Sequence, residues 1–214
     1  MKTDAFEIVK PEDIEKRSFE IITEELGERQ LPPAYASIIK RCIHTSADFD
    51  YADNLRFSPD ALDSVRAAIR SGANIVTDTQ MGRSGINKTE LAKHGGEVRC
   101  FMSDEDVAAT AKANGSTRAV ASMDKAATDP TNLIFAIGNA PTALVRLTEL
   151  IREGRLRPAL VIGAPVGFVN VVPAKELIME MGVPYIVAAG RKGGSNIAAC
   201  IVNAILYDLR QENA

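Results

Sequence analysis

The 214-residue chain has no tryptophan, two histidines and three cysteines, and each shortage removes a class of function. Cys42, Cys100 and Cys200 are odd in number, far apart and without metal-ligand spacing, so they read as reduced core residues of a cytoplasmic protein. With His44 and His94 alone, a multi-histidine metal centre lacks ligands, and no metal site is expected. Nowhere do eighteen apolar residues run together, and Met1–Lys10 lacks the apolar stretch of a secretory signal. A soluble protein with no membrane partner is expected. The net charge is -3, with neither a basic run nor aromatics interleaved among cations, which argues against nucleic acid as a partner. No P-loop, no G-x-G-x-x-G after the first strand and no G-x-S-x-G elbow occurs, which disfavours a generic nucleotide-binding α/β protein.

What the chain does have is apolar periodicity. Hydrophobic residues make up 46% of it, enough for a full core in one domain spanning 1–214. Five short apolar runs alternate with helical patterns: Asn74–Thr79, Val98–Met102, Leu133–Ile137, Ala159–Gly163 and Tyr185–Ala189. That alternation predicts an α/β fold, a Rossmann-like three-layer sandwich with a mostly parallel central sheet. N-terminal helices over 11–72 are expected to pack on a sheet-containing core over 74–210.

The helix signals are ordinary. Pro11, Glu12 and Asp13 open a helix whose Ile14, Ser18, Ile21 and Ile22 share a face, and Gly27 ends it. Tyr35, Ile38, Ile39, Cys42 and Ile43 form a second apolar stripe. His44 points away from that stripe, near a helix C-terminus whose dipole favours a cation. Ser58-Pro59-Asp60 starts a third helix, closed by Gly72. Ser103 with Asp106 reads as a capping box, Ser116 or Thr117 as a further start, Pro173 as the start of the helix that Gly182 ends, and Asn196–Arg210 as a long amphipathic helix.

The densest stretch is Leu133–Leu147, where a buried strand, Gly138, the N-cap candidate Asn139 and a first-turn Pro141 follow one another. Its free helix-start N–H groups are expected to face ligands at the sheet's carboxyl edge. Asp78–Lys88, Gly163–Pro173 and Gly190–Asn196 are similarly elaborate junctions and converge on the same edge. Arg83, Lys88, Arg191 and Lys192 lie in these junctions, and Arg118 opens a helix. Taken singly, each cation reads equally well as a solvated surface charge; taken together, they point to an anion site. Ser18 has a bland alternative, a hydroxyl bonded back to its own helix. His94, ahead of two glycines, reads as a helix-terminal residue.

Six segments in order, IEKRSF (Ile14–Phe19), RCIH with DFDYA (Arg41–His44, Asp48–Ala52), VTDTQM with Gly85, GNAPTAL, PVGFV (Pro165–Val169) and GRKGGS (Gly190–Ser195), resemble the motif series of the precorrin-8X methylmutase family. The resemblance runs from about Ile14 to Asn203. It implies an isomerase of corrin biosynthesis that moves a methyl group from carbon 11 to carbon 12 of the macrocycle by a 1,5-sigmatropic shift. It also implies an α/β homodimer with a shared site and an anionic tetrapyrrole substrate. No cofactor is implied, cobalt entering only as part of the substrate. His44 matches the family's proton-donating histidine, Ser18 its substrate-contacting serine and Arg118 its arginine. The family's threonine contact falls near Asn87 here, a departure. Arg17, Lys88, Asn139, Arg191, Lys192 and Ser195 complete the expected substrate-contact set. The rival reading is a corrinoid carrier without chemistry, against which His44 in an intact RxxH stands.

Overall fold

Alternation within the strands decides the architecture. Ile75, Ile134, Ala136, Leu160, Ile162, Ile186 and Ala188 are buried on one face of the sheet, and Val76, Phe135, Ile137, Val161 and Val187 on the other. A sheet apolar on both faces needs helices on both, so a three-layer sandwich follows.

The computed structural model describes residues 7–212. The strands are β1 (Leu55–Phe57), β2 (Asn74–Thr77), β3 (Val98–Arg99), β4 (Asn132–Ile137), β5 (Leu160–Gly163) and β6 (Tyr185–Ala188). The helices are α1 (Ile14–Leu26), α2 (Ala36–Ser46), α3 (Tyr51–Asn54), α4 (Ala61–Arg70), α5 (Gln80–Gly85), α6 (Lys88–Ala92), α7 (Glu105–Ala113), α8 (Arg118–Ala126), α9 (Pro141–Arg152), α10 (Val171–Met179) and α11 (Ser195–Glu212). Strand order is β1-β6-β5-β4-β2-β3, parallel throughout except for β1, which pairs antiparallel with β6. The long apolar helix α11 covers one face together with α2 and α4, while α8, α9 and α10 cover the other. This is the expected single α/β domain with a mostly parallel sheet.

Several local expectations are corrected. β1 is a sixth strand inside the segment expected to be helical; it is only three residues long, and Arg56 in its middle is exposed. Val98–Met102 contracts to β3, because Phe101 and Met102 turn away to pack on the α8 side. Ser103 caps nothing: Asp104 precedes α7 without a side-chain cap, and the Ser103 hydroxyl meets Gln80 at 3.2 Å. Pro173 is the third residue of α10, which the chain enters through Asn170 in the left-handed region at φ 58. On α1, Ile22 and Leu26 are buried whereas Ile14 and Ile21 stay exposed.

Candidate active site

The chain winds from β2 to β3 in one direction and from β4 onward in the other, so the switch point lies between β2 and β4. Open α/β sheets usually bind ligands there. In this chain the crevice is filled by protein. Asp78, just after β2 and 1% exposed, accepts the Gly138 N–H on Oδ1 at 2.9 Å and the Asn139 and Ala140 N–H groups on Oδ2 at 2.8 and 2.6 Å. Burial pushes its carboxyl above the usual carboxylate range, and the three amide donors pull the other way. Asn139 is therefore not the N-cap of α9. Ala140 holds that position, and the Asp78 carboxylate takes the N–H groups of the turn leading into the helix and of the N-cap itself, not those of the first helical turn. A Cβ on Gly138 would lie 2.5 Å from Ser195 Cα and 2.8 Å from the Gly194 carbonyl oxygen, so the turn is also packed shut. Thr79, the N-cap of α5, donates its hydroxyl to Ser195 Oγ at 2.7 Å.

The β6–α11 junction, residues 189–194, is held by contacts from three sides. Lys175 of α10, 1% exposed, donates to the carbonyls of Gly190 and Lys192, each at 2.8 Å. Desolvation lowers its pKa to about 8. The Gly167 N–H donates to the Arg191 carbonyl, and the Arg191 guanidinium lies 5.3 Å from the centre of the exposed Phe168 ring. Lys192 reaches Asp48 and Asp50, each at 2.6 Å. Those two carboxylates hold its ammonium protonated well above the ordinary lysine range, and Lys192 in turn lowers Asp48.

His44 sits in the last turn of α2, exposed, with its ring stacked on Phe19 of α1 at 5.4 Å between centroids and 15° between planes. Among the described residues, no hydrogen bond or ion pair occupies either imidazole nitrogen. One turn earlier, Arg41 lies between the rings of Phe19 and Tyr207, 5.2 and 4.9 Å from their centres, and pairs with Glu15 at 2.7 Å. Thr45, next to His44, helps line a groove of about 250 Å³ with Asn196, Cys200, Asn203 and Tyr207.

The other expected residues divide among three places. Ser18 bonds back to the Ile14 carbonyl at 2.9 Å, and Arg17 pairs with Glu7, Glu20 and Glu24 on the surface of α1. Asn87 caps α6, and its own N–H donates to Asn203 Oδ1 at 2.8 Å; Lys88 is exposed beside it. Arg118 is exposed at the start of α8, where Thr117 and Thr142 bring the starts of α8 and α9 together at 3.4 Å between hydroxyls. His44 and Lys192 thus meet the end of α2, with Ser18 next to the Phe19 that stacks on His44, whereas Arg17 lies among the α1 glutamates and Arg118 and Asn139 belong to the opposite side of the sheet. His94 lies at the end of α6, as its position before two glycines suggests.

Sequence reasoning passed over Asp78, Lys175, Asp48 and Asp50. For Lys175 a signal exists: with Val171, Ala174 and Ile178 it occupies an apolar-periodic position. Among the described residues, no group of three metal-ligating side chains occurs, and no helix is long and apolar enough to cross a membrane.

Fold and site together define a doubly wound α/β protein with exposed cations at its strand–helix junctions and an exposed imidazole in the last turn of α2. The precorrin-8X methylmutase family profile matches residues 13–208. The chain is 48% identical over 197 residues to the cobalt-precorrin-8 methylmutase of Priestia megaterium, covering 92% of this chain and 88% of that one. It is 47% identical over 210 residues to the Salmonella typhimurium protein of the same name, covering 95% and 98%. A crystal structure of the Thermus thermophilus precorrin-8X methylmutase superposes with a TM-score of 0.85 at 38% identity, covering 94% of this chain and all of that one. The chain belongs to the precorrin-8X methylmutase family, and it is an isomerase, an intramolecular methyl transferase of cobalamin biosynthesis.

Proposed function

We propose that this enzyme moves the methyl group on carbon 11 of the precorrin-8 macrocycle to carbon 12, with His44 as the general acid, in a 1,5-sigmatropic shift that yields cobyrinate or hydrogenobyrinate. The observation that carries the reading is an exposed histidine, oriented by a ring stack, whose nitrogens are both unengaged among the described residues. A proton placed on a ring nitrogen draws electrons from the macrocycle, so the carbon–carbon bond at carbon 11 breaks as the one at carbon 12 forms. The proton returns to His44 when the shift is complete. Atoms, charge and electrons balance without an external methyl donor, oxidant or reductant, and no cofactor is called for. An acid placed within reach of the reacting group contributes about 10²–10⁴-fold.

The cobalt-bearing substrate is our choice of the two forms. Relatives at 48 and 47% identity carry that name, while the Pseudomonas aeruginosa protein named for precorrin-8X is 37% identical. Arg118, Arg17, Lys88 and Arg191, with Ser18, Asn87, Asn139 and Ser195, are proposed to meet the carboxylate arms and polar edges of the macrocycle. We assign the enzyme to the cytoplasm, in keeping with three free cysteines, and to a homodimer with a shared site.

The test is an ultraviolet–visible assay with metal-free and cobalt-loaded precorrin-8. Wild type is expected to convert the cobalt form faster, and His44→Ala is expected to remain folded and lose rearrangement. Near-wild-type turnover by the variant would remove His44 from the mechanism. An equal spectral shift in both proteins without product would mark a carrier.

A further inference from the structure

We infer that Lys192 is a positioning residue: it straps the β6–α11 junction to the end of α2 and thereby holds His44 where the reaction needs it, rather than contacting substrate. The inference rests on the reading of His44 as the acid. Lys192 has its ammonium 2.6 Å from both Asp48 and Asp50. Those residues follow directly on the end of α2, where Ala47 closes the helix in the left-handed region at φ 54 and the Asp48 carboxylate accepts the Asp50 N–H at 3.0 Å. His44 is three residues before Ala47. Helix ends fray because their last carbonyls lack partners, and α2 receives no capping glycine here.

The strap is anchored at its other end. Lys175 is buried, and its two bonds to the Gly190 and Lys192 carbonyls fix the backbone from which Lys192 projects. The Gly194 N–H donates to the Ala164 carbonyl at 2.8 Å, tying the same junction to the end of β5. A line of contacts therefore runs from α10 through 190–192 to 48–50 and the last turn of α2, with Phe19 bracing His44 from the other side. An exposed pair such as Lys192 with two aspartates adds little to global stability, so its effect belongs in local order.

A general acid displaced by about 1 Å loses rate rather than binding. Lys192→Met is expected to lower kcat about tenfold while KM stays within about twofold. An Asp48→Asn, Asp50→Asn double variant is expected to reproduce that loss, and the triple variant to add nothing further, because all three substitutions cut one connection. A raised KM with kcat preserved would make Lys192 a substrate contact, and additive losses would show that there is no strap; either overturns the inference. A second readout needs no turnover. In protein labelled at its two histidines, the His44 imidazole resonances are expected to shift and broaden in Lys192→Met, or in Asp50→Asn should that variant fold better, while those of His94 stay in place. Unmoved His44 resonances overturn the strap. Responsive resonances alongside an active His44→Ala enzyme would keep the strap and remove the acid.

Discussion

At the scale of single residues, the two most consequential charges are buried and neither touches the proposed acid. Asp78 trades water for three amide donors and so fixes the turn that leads from β4 into α9. Lys175 trades water for two carbonyls and no carboxylate, and its pKa falls to about 8 from an ordinary 10.5. The unfolded chain keeps that proton to about pH 10.5, whereas the folded chain releases it near 8. Between those values the unfolded state binds more protons, so this group makes stability rise with pH. The neutral amine still has two hydrogens for its two carbonyls. Melting temperatures of wild type and Lys175→Met, taken from pH 7 to 10.5, are expected to diverge in favour of wild type as pH increases through 8. A difference flat in pH would show that the ammonium is not desolvated in the folded protein.

At the scale of elements, the strand–helix junctions carry the argument, and they also mark where sequence was readable. The apolar stripes of α2, α4 and α11 and the runs of β2, β4, β5 and β6 are local periodicities, visible within a dozen residues. β1 is too short to show a period. Asn139 fits the residue type of an N-cap, but its own N–H is taken by Asp78, and no local pattern reports an acceptor 61 residues away. Lys192 looked like an anion contact for the same reason: its charge is written in the sequence and its partners Asp48 and Asp50 are not adjacent to it. The β4–α9 junction gives a sharp test. A methyl group on Gly138 would press on the Ser195 backbone and the Gly194 oxygen, which cannot rotate away as a side chain would. Gly138→Ala is expected to cost about 1–3 kcal/mol in chemical denaturation and to lower turnover by displacing the start of α11. Unchanged stability would mean that the 190–194 loop yields freely, contrary to its anchoring by Lys175.

At the scale of the molecule, the sheet separates residues that one reaction is proposed to use. His44 and Ser18 belong to the layer of α1, α2 and α11, and Arg118 opens α8 in the opposite layer. In the proposed homodimer a two-fold axis would resolve the separation, by setting one chain's α2 end against its partner's α8 start and creating two such sites per dimer. His44→Ala and Arg118→Ala homodimers would each be impaired at both sites. Unfolding neither chain but exchanging subunits at equal concentrations gives half heterodimers, in which one site carries both defects and the other carries none. Mixing is then expected to restore about a quarter of wild-type turnover, rising from the sum of the separate variants as exchange proceeds. If each site were built within one chain, every site in the mixture would keep a defect and turnover would stay at that sum. Sedimentation of the same samples as dimers fixes the denominator, so the recovered fraction reports directly on which subunit supplies the acid and which the arginine.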